Sequence, residues 1–386
     1  MVKRIAMVAG EASGDLLASR LIRALRVHHP DAEFFGIGGP QMEAEGFRTL
    51  WPCDRLAVHG YVDALRRYRE LSGIRRELLA RVLAECPDAL IGVDAPDFNL
   101  WLEQRVREAG IPAIHFVSPS IWAWRGGRIR RIARSVSHML CLFPFEPPLY
   151  RDAGVPVSYV GHPLADEFPL VPDRAAMRER LGLRPDARVI AMLPGSRDSE
   201  VRNLAGIYIE TAQILASRHA DAIFLVPLAT RETRRIFEQA LYDAGAEELP
   251  LRVLFGHATD AMTAADVVLV ASGTASLEAA LLKRPMAICY RIGKWQYRLM
   301  KRMAYLPWVG LPNILCDESL VPELLQDAAT PSALADALDG WLEDPAACEQ
   351  LAERFTELHL DLRQDTGARA AEAILPYLER VTERSA

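Results

Sequence analysis

The feature that most limits how this chain can fold is an alternation that occurs twice. A short apolar run is followed by a longer segment with helical spacing, again and again. In the first half the runs are Ile5–Ala9, Phe34–Ile37, Ala89–Val93, Ala113–Val117, His138–Phe143 and Val157–Val160, with helical spacing over Leu16–Val27 and Leu100–Ala109. Pro163, Pro169, Pro172 and Asp173 then punctuate a polar connection, and a helix is expected from Arg174 to Leu181. The pattern restarts with Val189–Leu193, Ile223–Pro227, Arg252–Phe255, Val267–Ala271 and Met286–Tyr290. From Ser319 onward the sequence reads as helical throughout. Short strands separated by helices form a parallel sheet wrapped on both faces. The expectation is therefore α/β, with two doubly wound, Rossmann-like halves facing a cleft and a helical C-terminal tail. The boundaries read as 1–168, 169–345 and 346–386, the tail crossing back or being exchanged in a homodimer. In such halves ligands bind at the carboxyl ends of the strands.

Length and charge exclude several classes. With 386 residues, half of them apolar, the chain can bury large cores without disulfides or a structural metal. A net charge of −6 argues against nucleic-acid binding by bulk charge. The six cysteines show neither C-x-x-C nor zinc spacing and read as reduced thiols, Cys141 and Cys289 lying in apolar runs. The first apolar run ends at Gly10–Glu11, too soon for a signal peptide, and reads as a strand. No uncharged apolar stretch reaches membrane-span length. The expected location is cytoplasmic, which still allows the protein to lie on a membrane.

The loops at the strand ends carry the candidate chemistry. Leu193-Pro194-Gly195-Ser196-Arg197 joins a strand to a helix, and Ala271-Ser272-Gly273-Thr274-Ala275-Ser276-Leu277-Glu278 does the same. Helix N-termini offer unpaired N–H groups and a positive dipole end, which suit phosphate. In that reading the loops hold a pyrophosphate, Arg197 adds a cation and Glu278 takes ribose hydroxyls. In the plainer reading Ser196 caps a turn and Glu278 is an acid near a helix start. Neither loop is G-x-x-x-x-G-K-[ST] or G-x-G-x-x-G. In the first half Gly10-Glu11-Ala12-Ser13-Gly14-Asp15, Gly36-Ile37-Gly38-Gly39, Asp94-Ala95-Pro96-Asp97-Phe98-Asn99 and Ser118-Pro119-Ser120 follow strands. Asp94 is placed either as a general base or as a turn residue, and Asp97 and Asn99 as turn and cap chemistry.

Three stretches are basic and aromatic. Leu65–Leu83 puts Leu65, Tyr68, Leu71, Ile74, Leu78, Leu79 and Val82 on one helical face, with Arg66, Arg67, Arg69, Arg75, Arg76 and Arg81 elsewhere. Trp122-Ala123-Trp124-Arg125 leads into Arg128, Arg130, Arg131 and Arg134, and Arg291–Trp308 carries Lys294, Arg298, Lys301 and Arg302 with Trp295, Tyr297 and Tyr305. Such segments suit an anionic membrane surface, or are solvated faces around a core stripe. No RNA-binding module signature is present, and no nucleic-acid partner is expected.

Six motifs in order, G-E-A-S-G-D (10–15), V-D-A-P-D-F-N (93–99), S-P-S-I-W-A-W-R (118–125), L-P-G-S-R-x-x-E-V (193–201), A-S-G-T-A-S-L-E (271–278) and L-P-N (311–313), resemble the lipid-A-disaccharide synthase family. Ala12 stands where that family often has Thr. The resemblance implies a GT-B glycosyltransferase that moves 2,3-diacylglucosamine from its UDP donor to the 6-hydroxyl of 2,3-diacylglucosamine 1-phosphate, releasing UDP. It implies inverting chemistry without a metal or cofactor, the UDP-sugar being a substrate. It places the general base on Asp94 and charge stabilisation of the leaving group on Arg197. The UDP site would hold Gly195, Ser196, Arg197, Ser272, Gly273, Thr274, Glu278 and Asn313, and the acceptor side Ser13 and Gly14. Both substrates carry acyl chains, so the resemblance also implies peripheral contact with the cytoplasmic face of the inner membrane. The alternatives are another UDP-sugar enzyme of this fold, such as a UDP-N-acetylglucosamine 2-epimerase, and a non-catalytic two-lobed binding protein.

Overall fold

The computed structural model describes residues 2–56, 61–123, 126–293, 297–298, 302 and 305–383, with backbone only for 61–66 and 380–383. Two compact units emerge: Met1–Asp166 with Leu362–Ala386, and Glu167–Asp361. The first holds a seven-stranded parallel sheet in the order β3-β2-β1-β4-β5-β6-β7, with β1 Arg4–Ala9, β2 Glu33–Gly38, β3 Phe47–Pro52, β4 Ala89–Val93, β5 Ala113–Phe116, β6 His138–Cys141 and β7 Val157–Tyr159. The second holds a six-stranded parallel sheet in the order β10-β9-β8-β11-β12-β13, with β8 Arg188–Leu193, β9 Ala222–Leu228, β10 Leu251–Phe255, β11 Val267–Ala271, β12 Met286–Tyr290 and β13 Glu323–Leu325. Each order reverses beside its first strand, the doubly wound signature.

Side-chain alternation builds the layers. Ile5, Met7 and Ala9 of β1 face a core shared with the helix Ala12–His28, while Ala6 and Val8 face the opposite core with the helix Tyr61–Glu85. Both faces of the strand are apolar because both are covered, as parallel sheets require. In the second unit Ile190, Met192, Leu269 and Ala271 pack against the helices Asp198–Arg218 and Pro331–Glu343.

Two strands lie where none was expected. β3 pairs with β2 across a register shift between Gly36 and Ile37, so its alternation is broken in the sequence. β13 lies inside the stretch read as wholly helical from Ser319. It pairs three residues, Glu323 to Leu325, with β12, too few to show a period of two. The residues read as a tail divide between the units at Asp361/Leu362. The helix Thr366–Glu383 returns to the first unit, where Ala370, Ala371, Ile374 and Leu378 are fully buried. At roughly 1.5–3 kcal/mol per large apolar side chain, Ile374 and Leu378 contribute much of this docking. Asp166 caps the returning chain, accepting from Asp365 N at 2.9 Å and Thr366 N at 2.7 Å. Among the described residues no helix is long and apolar enough to cross a membrane.

Candidate active site

In the second unit a cavity of about 350 Å³ opens at the carboxyl ends of β8, β9, β10 and β11. That volume lies at the lower end of ordinary small-molecule sites. Leu193, Gly195, Ser196 and Arg197 line one side; Ala271, Ser272, Gly273, Thr274, Ala275 and Glu278 line another. All the residues expected to hold a pyrophosphate and ribose therefore meet in one cavity, except Asn313. At the start of the helix Thr274–Leu281, Ser276 N donates to Gly273 O at 3.1 Å, while the amides of Thr274 and Ala275 precede the first intrahelical bonds. Burial pushes the proton affinity of the Glu278 carboxyl above the usual carboxylate range.

The other helix start is arranged differently from the expectation. Glu200, in the first turn of Asp198–Arg218, folds its carboxylate back to accept from Ser196 N at 3.1 Å and Arg197 N at 3.3 Å. Its second oxygen meets the Arg197 guanidinium at 3.2 Å. Gly195 makes this possible: its φ is +118°, and a Cβ there would lie 2.6 Å from Glu200. A phosphate bound to these amides would displace the Glu200 carboxylate. Arg197 itself is exposed at the cavity mouth, its side chain 81% accessible.

Asn313 lies outside this lining. It is fully buried, donates to Val321 O and Glu323 Oε1, each at 2.9 Å, and accepts from Val321 N at 3.0 Å. Glu323 also accepts from Val309 N and Gly310 N, each at 2.9 Å. Ser272 Oγ donates to Val309 O at 3.1 Å, so the Asn313 network supports the glycine loop from behind.

In the first unit Asp94 lines a second cavity, of about 260 Å³, with Pro96, Val117, Ser118, Pro119, Ser120, Ile121 and Arg128. Its walls carry unusual backbone: Asp94 has φ +52°, Ala95 φ +43° and Val117 φ +82°. Left-handed conformations in non-glycine residues cost on the order of 1–3 kcal/mol each and cluster at functional sites. The helix start holding Ser13 and Gly14 abuts this turn without lining the cavity. A Cβ on Gly10 would lie 2.5 Å from Ala95 Cβ, and one on Gly14 3.6 Å from Val93 O. Asp15 of the same motif has a structural task, accepting from the amides of Gly39, Gln41 and Met42. Asp97 is exposed and pairs with Arg128. Ser118 bonds Tyr150 at 2.7 Å and the buried carboxyl of Glu146, which burial pushes up to about 7 against hydrogen bonds from Phe143 N, Ser118 and Trp122.

The basic stretches are partly absorbed into the fold. Ile74, Leu78 and Val82 are core, and Leu71 and Leu79 pack against it. Arg75 stacks 4.3 Å from the Trp101 ring centroid, and Arg67 pairs with Glu70. Tyr68 remains 63% exposed. The side chains of Leu65 and Arg66, and Trp124, Arg125, Lys294, Trp295 and Lys301, lie outside the described residues.

The sequence model described as lipid-A-disaccharide synthetase matches residues 5–374. The chain belongs to that family. The lipid-A-disaccharide synthase of Aromatoleum aromaticum (strain DSM 19018 / LMG 30748 / EbN1) is 77% identical over 383 residues, covering 99% of this chain and 98% of the relative. That of Dechloromonas aromatica (strain RCB) is 59% identical, covering 97% and 98%. Among solved structures, the glycotransferase of kitacinnamycin superposes with a TM-score of 0.63 at 19% identity, covering 97% of this chain and 99% of that one. The UDP-GlcNAc 2-epimerase of Neisseria meningitidis gives 0.59 at 12% identity, covering 98% and 100%. These likenesses and the two doubly wound sheets establish the GT-B fold. A transferase and an epimerase share it equally, so the choice between them rests on family and not on fold.

Sequence reasoning missed Pro227, Ala229, Gly256 and Ala258, which complete the second-unit cavity from the ends of β9 and β10. Their signal was position alone, just past a strand. It also gave Glu200 no role, although the residue is part of the motif around Arg197.

Proposed function

We propose that this protein transfers 2,3-diacylglucosamine from UDP-2,3-diacylglucosamine to the 6-hydroxyl of 2,3-diacylglucosamine 1-phosphate. Membership of the family across residues 5–374 carries this reading. The cavity at the ends of β8 and β11 supports it chemically, since it joins a helix start, a cation and a carboxyl suited to diphosphate and ribose. In the proposed step Asp94 accepts the proton of the 6-hydroxyl. The oxygen bonds to the anomeric carbon as the bond to the UDP oxygen breaks, inverting that carbon. Arg197 and the amides at Thr274–Ala275 take up the negative charge on departing UDP. For Arg197 to do so it must exchange Glu200 for the diphosphate. No metal is needed in this scheme, because protein groups supply the positive charge.

The direct test incubates the purified protein with both lipid substrates and follows disaccharide 1-phosphate and UDP. Equal amounts of each support the proposal. Epimerisation of UDP-N-acetylglucosamine without disaccharide formation would refute it.

The proposal includes peripheral association with the anionic cytoplasmic face of the inner membrane, where both substrates reside. Exposed Tyr68 and the arginines at 69 and 76 on one helix support it. Each cation near such a surface contributes about 1 kcal/mol, screened over ~10 Å at 0.1 M salt. Arg69→Glu with Arg76→Glu should lower affinity for anionic vesicles at least tenfold at 0.1 M salt. Tyr68→Ser should reduce the binding that persists at high salt. Co-sedimentation measures both, and equal binding by wild type and the charge-reversed variant would remove this helix from the membrane contact. Leu71 is unsuitable as a probe, because it packs on the core.

A further inference from the structure

Beneath Asp94 lies a polar cluster in a place where an apolar core would be the simpler choice. Glu103 and His115 are both fully buried, with His115 Nδ1 and Glu103 Oε1 2.7 Å apart. Glu103 stands one helical turn beyond Asn99 on the helix Pro96–Glu108, which starts directly after the Asp94–Ala95 turn. Asn99, also fully buried, donates from Nδ2 to the backbone carbonyl of Asp94 at 2.8 Å. The sheet makes room for this cluster. His115 on β5 pairs with Gly92 on β4, and a Cβ on Gly92 would lie 2.1 Å from Glu103 Oε1 and 3.0 Å from Asn99 Cβ.

The cluster is costly. Asn99 Oδ1, Glu103 Oε2 and His115 Nε2 are buried without a hydrogen-bond partner. Each such atom destabilises the fold, and well-packed apolar residues often equal or exceed a buried ion pair in stability. Stability alone therefore does not account for it. What is fixed beside the cluster is the turn, by Phe116, next after His115 on β5, and by Asn99, one helical turn before Glu103. Asp94 N donates to Phe116 O at 2.8 Å on one side, and Asn99 grips its carbonyl on the other. Between these holds the backbone takes φ +52° and then +43°. Burial works against the His115 imidazolium, but the adjoining Glu103 carboxylate, with Asp94 a smaller contributor, outweighs it and raises its proton affinity, so the ring senses the Asp94 charge.

We infer that Asn99, Glu103 and His115 form a buried unit that holds the Asp94 turn in its left-handed conformation, which makes Glu103 and His115 positioning residues for the reaction. The inference rests on the reading of Asp94 as the base. Glu103→Leu with His115→Leu removes both partners together and should leave the melting temperature and UDP affinity close to wild type. Turnover, kcat, should fall at least tenfold while the acceptor KM stays within threefold. Glu103→Gln keeps the shape and an acceptor oxygen, and should retain kcat within threefold. A merely structural pair would change melting temperature and spare kcat, so wild-type kcat in the folded double variant overturns the inference. If the double variant does not fold, labelled-histidine NMR of Asp94→Asn decides. The His115 ring resonances should move on loss of the Asp94 charge, and unchanged resonances overturn the coupling. The two readings fail separately. Full activity in Asp94→Asn rejects the base itself, whereas an inactive Asp94→Asn beside a fully active double variant rejects only the positioning unit.

Discussion

Asp94→Asn is expected to lower kcat at least a hundredfold and to leave UDP affinity unchanged. The size follows from the loss of a general base, which typically contributes 10²–10⁴-fold. The choice of Asn follows from the backbone. Asp94 sits at φ +52°, a conformation Asn tolerates well and Ala does not. Asp94→Ala would mix the loss of the carboxylate with strain in the turn, whereas Asn keeps shape and conformation and removes only the basic oxygen. UDP affinity should hold because the cavity assigned to the nucleotide belongs to the second unit and Asp94 to the first. Asp97→Asn is the internal comparison. Its side chain is exposed and engaged with Arg128, so kcat should stay within threefold of wild type. Single-turnover kinetics with saturating substrates separate the chemical step from lipid exchange. If Asp94→Asn turns over within threefold of wild type, another group takes the proton.

The strand-end loops were legible because their chemistry is local. Gly195, Ser196, Arg197, Ser272, Gly273 and Thr274 follow apolar runs directly, and a doubly wound sheet must bring the ends of its first and fourth strands together. Asn313 shows the limit of residue type. An asparagine at a helix start looks the same whether it binds a ligand or ties down a neighbouring strand, and here it ties Val321 and Glu323. Glu200 shows a second limit. The motif fixed its distance from Arg197, but only the left-handed Gly195 reveals that its carboxylate folds back onto the amides. Glu103 and His115 were invisible for a third reason. His115 is one polar residue inside an apolar strand, Glu103 reads as part of the polar run Glu103-Gln104-Arg105, and only the packing of the helix Pro96–Glu108 beside β5, in the space left by Gly92 of β4, brings them together. β13 was lost to its length of three residues.

Arg197→Ala should cut kcat by about a hundredfold and weaken UDP binding roughly tenfold. Removing a preorganised donor to charge that develops in a transition state costs about 2.7–4 kcal/mol, roughly a hundred- to thousandfold in rate, and Arg197, which must first leave Glu200, belongs at the lower end. The ground-state effect should be smaller. In the resting protein the guanidinium is exposed and already paired with Glu200 at 3.2 Å, so binding UDP exchanges one anion for another. The full gain appears only when the leaving diphosphate acquires charge. Arg197→Lys should recover part of the rate, since it restores charge without the bidentate fork. Glu200→Gln gives the complementary test. It removes the anion that competes for Arg197 and for the Ser196 and Arg197 amides, so UDP should bind more tightly than to wild type. Calorimetry reads the binding and steady-state assays the rate. In the proposed scheme Arg197 supplies the charge a divalent cation would otherwise provide, so excess chelator should change neither. Strict dependence on added magnesium, or an Arg197→Ala variant with wild-type kcat, would take the leaving-group role away from this residue.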